Sequence, residues 1–276
     1  MSEEHTYSRS ILESAIRYAR DAGEHILHSM TQPYDMHDKV NLSDLVTAVD
    51  LQSESIIRSS IGRDYPEHWI VSEESDGSRD VFDLMKQPAP GYGWIVDPID
   101  GTINFVHGIP HFAISIGVIE DGQLLHGVVY NPCTQELYHA TRGEGAYCNG
   151  TRLQASGERQ IGNAVLATGF PAADWCSDSL NAARIKGVAG TARNIRILGS
   201  ASLDLCLVAS GRLTGFWHDG LYPWDVAAGV LIVREAGGAV TNASGEPFAL
   251  SDRTLAASNP KLQDALLSLI GCKVES

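Results

Sequence analysis

Two aspartates, Asp97 and Asp100, close an apolar run, Trp94 to Val96, inside the stretch GWIVDPIDGTINFVHGIP from Gly93 to Pro110. Pro98 fixes φ between them and Gly101 behind them tolerates positive φ, so the pattern reads as a rigid turn at a strand's carboxyl end. Ligands collect at that end of open α/β sheets. Carboxylates held this close need compensating charge, yet Trp94 to Pro110 contains no Lys or Arg. A hard divalent cation meets the need, since Mg2+ takes one or two carboxylates together with water and substrate phosphate. The plainer alternative is a capped turn whose acids are solvated.

The same logic recurs where Trp69 to Val71 runs into Ser72-Glu73-Glu74-Ser75. Neighbours on extended backbone face opposite sides, so Glu73 and Glu74 are expected to do different jobs. One would face a site; the other would orient water or a backbone group. Asp50, ending DLVTAVD, and Asp225, after Trp224, each sit in the first turn of a helical pattern. The helix dipole alone favours an acid there, so a capping role competes with a functional one. Gly199-Ser200-Ala201 opens an apolar helix whose free N–H groups suit phosphate or hydroxyl oxygens, although such ends are commonly only caps. Lys39 stands in a polar loop over 31–43, either as part of a lid or as a solvated lysine.

The elements that carry these residues follow from periodicity. Ile11, Ala15, Tyr18, Ala19, Ala22, Ile26 and Met30 mark a long amphipathic helix, and Leu51, Ile56, Ile57 and Ile61 a second one. Residues 75–92 read as surface connection. Alternation over Phe112 to Ile119 and Leu124 to Tyr130, around Asp121-Gly122, predicts a hairpin, and Gly143, Gly145 and Asn149-Gly150 continue a meander. Helices followed by antiparallel strands, without repeated βαβ units, count against a dinucleotide-binding fold. Residues 1–155 form an α+β half carrying the central motif. Residues 156–276 form an α/β half: a strand at Ala164 to Ala167, a helix through Leu203 and Cys206, a strand at Leu213 to Trp217, and a turn at His218-Asp219-Gly220. A helix from Trp224 then runs to the stop signal Gly237-Gly238.

With 276 residues the chain can bury a substantial core. Acids outnumber bases 34 to 20, a net charge of -14 that disfavours nucleic acid and leaves room for cations. Its five cysteines lack CxxC spacing and read as reduced thiols of a cytoplasmic protein. No membrane partner is expected, because no long apolar window occurs.

Taken together, the acid-bearing stretches resemble the inositol monophosphatase family. DPIDGTINFVHGIP and WDVAAGVLIVREAGG are similar to its two signature motifs, and DLVTAVD to a shorter third. The likeness runs from the first helix to about Ala257. It implies a layered αβαβα sandwich of the inositol monophosphatase/fructose-1,6-bisphosphatase type, a homodimer, and hydrolysis of a phosphate monoester with two or three Mg2+ per site. By this resemblance Glu73, Asp97 and the Ile99 carbonyl would hold one metal, and Asp97, Asp100 and Asp225 a second. A third would be held through water near Glu73, with Glu74 supporting hydration. Glu73, Thr102 and Asp50 would activate water, Thr102 and Asp50 relaying its proton, and Gly101 and Thr102 would meet phosphate oxygens. Lys39 would add charge from a mobile loop.

The resemblance also implies an alcohol-facing set of Asp100, Ala201, His218 and Asp225, with Gly199 and Ser200 in support. The family has a glutamate seven residues before the last motif's aspartate, and this chain has His218 there. Neutral histidine accepts only one hydrogen bond, a weaker match for a vicinal diol. The expected substrate is inositol monophosphate or a related polyol phosphate. The alternatives are histidinol phosphate, another sugar phosphate or a 3'-phosphonucleotide, and, outside enzymes, a regulatory RNA- or protein-binding homologue. Arg196 would support the following helix cap or add charge.

Overall fold

Ile11, Ala15, Tyr18, Ala19, Ala22 and Ile26 have no exposed surface, as one stripe of a helix laid on a sheet requires. They belong to α1 (Glu3–Ser29) in the computed structural model, which describes residues 3–30, 36–38, 45–77, 80–171 and 179–271. Lys39 lies outside the described residues. A ribbon of β1 (Met36–Asp38) and β2 (Leu45–Thr47) leads into α2 (Ala48–Asp64). Next come β3 (Trp69–Ser72), the single turn α3 (Glu73–Asp76), α4 (Val81–Lys86), β4 (Tyr92–Asp100) and the short α5 (Thr102–Val106). The meander follows as β5 (Ala113–Glu120), β6 (Gln123–Asn131), β7 (Glu136–Thr141), β8 (Gly145–Cys148) and β9 (Thr151–Arg152). Strands β3 to β9 form a seven-stranded sheet in chain order.

The remaining chain supplies β10 (Val165–Thr168), α6 (Leu180–Val188), β11 (Asn194–Arg196), α7 (Ala201–Ala209) and β12 (Gly215–Asp219). It ends with α8 (Pro223–Glu235), β13 (Ala239–Thr241), β14 (Thr254–Ser258) and α9 (Gln263–Gly271). A five-stranded sheet results, ordered β11-β10-β12-β14-β13. Helices α1 and α2 cover one face of the larger sheet; α7 and α8 fill the space between the sheets; α6 and α9 cover the far face of the smaller one. The layers therefore alternate αβαβα. No helix among the described residues is long and apolar enough to cross a membrane.

Close packing of α8 depends on two glycines paired across β5 and β6, Gly117 and Gly127. A Cβ on Gly117 would lie 2.7 Å from Ala227 Cβ, and one on Gly127 would lie 2.6 Å from the Ala228 carbonyl oxygen. Hydrogen at these positions lets α8 rest directly on the sheet at Ala227 and Ala228, two and three residues beyond Asp225. The hairpin turns at Asp121 and Gly122, with φ of 47° and 79°.

Some elements depart from the sequence reading. Part of the expected surface connection is α4, which buries Val81, Phe82 and Met85 and is capped by Asp80 accepting the Asp83 N–H. The larger sheet is not purely antiparallel, because β3 runs parallel to β4; β10 also runs parallel to β11 and β12. In α2 the apolar pattern misleads: Leu51 is 54% exposed while Asp50, Ser53 and Glu54 are buried. His218 sits in strand β12, not in the turn after it.

Candidate active site

An i,i+3 pair on a regular strand would point to opposite faces. The strand here does not turn at Pro98: β4 continues to Asp100 with a bulge. Asp97 stands opposite Ser115 and Asp100 opposite Ala113, so β4 carries an extra residue between them. That extra residue returns both carboxylates to one side. Asp97 Oδ1 accepts the Ile99 N–H at 3.0 Å, and Ser53 Oγ donates to the Pro98 carbonyl at 3.1 Å. The chain turns at Gly101, φ 97° and ψ 41°, a left-handed conformation suited to glycine.

Asp100 is held from the other half of the chain. Its Oδ2 accepts Ser200 Oγ at 2.6 Å, the Ser202 N–H at 2.7 Å and Ser202 Oγ at 2.5 Å, and the Ala201 N–H approaches Oδ1 at 3.3 Å. Burial raises this carboxyl's pKa, and the Ser200 and Ser202 hydrogen bonds oppose the rise. Asp225 lies in the first turn of α8, where Oδ2 accepts the Tyr222 N–H at 2.7 Å. Oxygens of Asp97, Asp100 and Asp225 all fall within 4.8 Å of one another. At an effective dielectric near 20, each charged pair at such a separation costs about 3 kcal/mol. The positive ends of α7 and α8 offset part of that. Three hard carboxylate oxygens from two elements, β4 and α8, suit a divalent cation of the Mg2+ class.

Asp50 caps and also reaches the site. Its Oδ2 accepts the Thr47 N–H at 2.9 Å in a capping box, and Thr47 Oγ1 at 2.5 Å. Its Oδ1 accepts Thr102 Oγ1 at 3.0 Å, with the Ile99 carbonyl 3.1 Å from the same hydroxyl. Asp50 has no exposed surface. Glu73 and Glu74 are on the helical turn α3, so opposed faces of an extended strand do not separate them. Ser72 pairs with Val96, which sets Glu73 beside the strand end that carries Asp97. Glu73 is not part of the triad within 4.8 Å.

Gly199, Ser200 and Ala201 lead into α7 over Asp100, as the hydrogen bonds above record. His218 is 8% exposed, on the face of β12 shared with Phe216, whose ring lies 6.1 Å away. Its Nδ1 is buried without a hydrogen bond from the protein, and burial lowers the pKa to about 4, which leaves the ring neutral at pH 7. Arg196 is exposed and donates to the Ile195 carbonyl at 3.0 Å.

Two contributors escaped the sequence reading. Asn104 Nδ2 donates to the carbonyls of His111 at 2.7 Å and Leu198 at 2.8 Å, joining the two halves beside Gly101. Its signal is an amide amid Ile103 and Phe105, a polar group that must find partners where it is buried. Ser202 adds a hydroxyl and an amide to Asp100; the spacing Ser200-Ala201-Ser202 carried that signal.

The sequence profile described as "Inositol monophosphatase family" matches residues 8–275. Nus factor SuhB from Pseudomonas aeruginosa is 41% identical over 267 residues, covering 94% of this chain and 95% of that protein. Among solved structures, extragenic suppressor protein suhB from Bartonella henselae superposes with a TM-score of 0.87 at 33% identity, covering 96% of this chain and 100% of that one. An IMPase from Thermotoga maritima gives 0.84 at 32% identity, covering 95% and 97%.

Proposed function

This chain belongs to the inositol monophosphatase family, and from that premise we propose that it hydrolyses a phosphate monoester of a small polyol with Mg2+. Membership supports a Mg2+-dependent phosphomonoesterase of this superfamily. The observation that carries the reading is the convergence of Asp97, Asp100 and Asp225 within 4.8 Å, beside a threonine hydroxyl already bonded to a buried aspartate. When bound, the divalent ions supply Lewis acidity, which lowers the pKa of water and neutralises phosphoryl oxygens. Glu73 and the Ile99 carbonyl would complete the ligand set, and Glu74 would order solvent beside it.

Thr102 and Asp50 perform the proton transfer. The hydroxyl donates its hydrogen toward Asp50 Oδ1, so its lone pairs can take a proton from attacking water as its own proton moves to the carboxylate. Thr47 holds the other Asp50 oxygen, which keeps the acceptor aimed. Gly101 and Thr102 N–H groups receive phosphoryl oxygens. Ala201, Asp100 and Asp225 border the alcohol.

Selectivity rests on His218. A neutral, buried ring accepts one hydrogen bond where a carboxylate accepts several, so the polyol is held less tightly at a vicinal diol than a carboxylate would hold it. Inositol monophosphatase-II of Staphylococcus aureus has been solved with inositol monophosphate bound, at a TM-score of 0.78 and 31% identity over 94% of this chain and 92% of that one. It has also been solved with 2'AMP bound. Inositol, histidinol, sugar and nucleotide monophosphates therefore form the test panel. Phosphate release from at least one, with Mg2+ supplied and abolished on chelation, is the expected result; no release from any refutes the hydrolase reading.

Similarity to Nus factor SuhB favours a second, regulatory role through a protein or RNA partner. Partner binding that survives Asp97→Asn would support it.

A further inference from the structure

Helix α2 turns a polar face toward the site. Asp50, Ser53 and Glu54 share that face and are 0%, 0% and 3% exposed. Asp50 reaches Thr102, and Ser53 holds the Pro98 carbonyl inside the bulge. Glu54 is the remaining member, a buried carboxylate with no part in the chemistry above.

Both of its oxygens go to the turn that carries Glu73 and Glu74. Oε1 accepts Ser72 Oγ at 2.5 Å and Oε2 accepts the Glu74 N–H at 3.1 Å. Ser72 is the N-cap of α3, yet its hydroxyl makes no cap bond to its own helix. Glu54 captures the free amide in its place. Arg58, one turn further along α2, donates to Ser72 Oγ at 2.7 Å and to Asp76 Oδ2 at 3.3 Å, and Asp76 Oδ2 also accepts the Ser72 N–H at 3.1 Å. A four-residue helix too short to hold itself is thus fixed at both ends by α2.

We propose that Glu54 is a positioning residue: it sets Glu73 and Glu74 against the Asp97, Asp100 and Asp225 cluster by replacing the missing cap of α3. The inference rests on the Mg2+-dependent reading above. The carboxylate accepts from Ser72 Oγ and the Glu74 N–H on separate oxygens while its charge faces Arg58 at 3.8 Å, so both acceptors and the charge hold the turn. Glutamine has one acceptor oxygen and turns N–H toward the second donor. The turn then drifts, and cation affinity falls while the aspartates stay anchored by their own donors.

The test uses the full chain as wild type, Glu54→Gln, Ser72→Ala and, as a control on the exposed face of α2, Ser59→Ala. Mn2+ binding is titrated by loss of the free-ion EPR signal, alongside thermal melts and the Mg2+ dependence of phosphate release. Glu54→Gln is expected to weaken Mn2+ binding about tenfold or more, the usual scale for a residue that orients ligands. Ser72→Ala should fall between it and wild type. The half-activating Mg2+ concentration should rise in parallel while kcat recovers at saturation, a split that general destabilisation would not give. Wild-type affinity in folded Glu54→Gln, or in Ser72→Ala should the first variant not fold, overturns the inference. A wild-type chain that binds no Mn2+ overturns the hydrolase reading itself, and this inference with it.

Discussion

Replacing Thr102 by valine exchanges a hydroxyl for a methyl of the same shape. Two contacts disappear: the 3.0 Å bond to Asp50 Oδ1 and the 3.1 Å approach to the Ile99 carbonyl. In the proposed mechanism the hydroxyl is the path by which a water proton reaches Asp50, and such positioned proton transfer contributes about a hundredfold or more. We expect kcat to fall about a hundredfold, equivalent to about 2.7 kcal/mol of activation free energy. Folding should lose about 1 to 3 kcal/mol, because one hydrogen bond to a buried carboxylate goes unmade. Phosphate release at saturating Mg2+, with the melting temperature measured on the same preparation, separates the two losses. Thr102→Ser should restore turnover, and adding Asp50→Asn to Thr102→Val should cost little more, since both remove one path. A folded, Mg2+-saturated Thr102→Val protein within about threefold of wild type would refute the relay, with the factor chosen well inside the expected effect.

Asp97→Asn and Asp225→Asn keep an acceptor for the Ile99 and Tyr222 N–H groups and remove charge only; phosphate release should drop at least about tenfold, about 1.4 kcal/mol, in a folded protein. His218→Glu should change the ratio of rates across phosphorylated alcohols more than it changes Mg2+ activation, and identical ratios would reject that role. His126 is 1% exposed, bonded to Ser8 and Thr141, with its pKa pulled down to about 4 by burial. The unfolded chain takes up this proton near pH 6.5 and the folded one only near 4, so the contribution is complete above about 6.5. It falls by about 3 kcal/mol as pH drops toward 4; urea melts at pH 7 and pH 5 should show the loss, and His126→Gln should flatten it. Mg2+ at a hundred times its dissociation constant should stabilise the fold by about 2.7 kcal/mol, read as a rise in melting temperature that chelation reverses.

The first helix and the meander were legible because their signals are local, whereas the layered sandwich followed from the family resemblance. The period of Ile11 to Ile26 and the Asp121-Gly122 turn contain the instructions that the structure follows. The face of α2 was not legible, since its buried stripe mixes Asp50, Ser53 and Glu54 with Ile57 and Ile61. A rule that buries apolar residues chose Leu51 and inverted part of the helix. The bulge was equally hidden: spacing gives Asp97 and Asp100 opposite faces, and only pairing with β5 shows the extra residue. His218 was set in a turn because the following Asp219-Gly220 reads as one, while its pairing with Leu255 on β14 keeps it in the strand. Partners distant in sequence determined each of these, and no window along the chain contains them.

Capping and a functional role compete as readings for Asp50 and Asp225 in the sequence, and in the structure a cap bond and a contact with the site occur together at each. Each acid uses one oxygen on the N–H of its own helix start, Thr47 for Asp50 and Tyr222 for Asp225. An anchored carboxylate has lost its rotational freedom before any ligand arrives, so binding need not order it again. The same bond fixes the carboxylate's direction, with the second Asp50 oxygen toward Thr102 and the Asp225 carboxylate within reach of Asp97 and Asp100. Repulsion among the three clustered acids would otherwise swing them apart; the cap opposes that motion at Asp225, while the Ile99 N–H holds Asp97 and Ser200 and Ser202 hold Asp100. Short-range capping at Asp225 therefore helps to preorganise the long-range cluster, and an acid in a helix's first turn can be a cap and a member of a cluster at once.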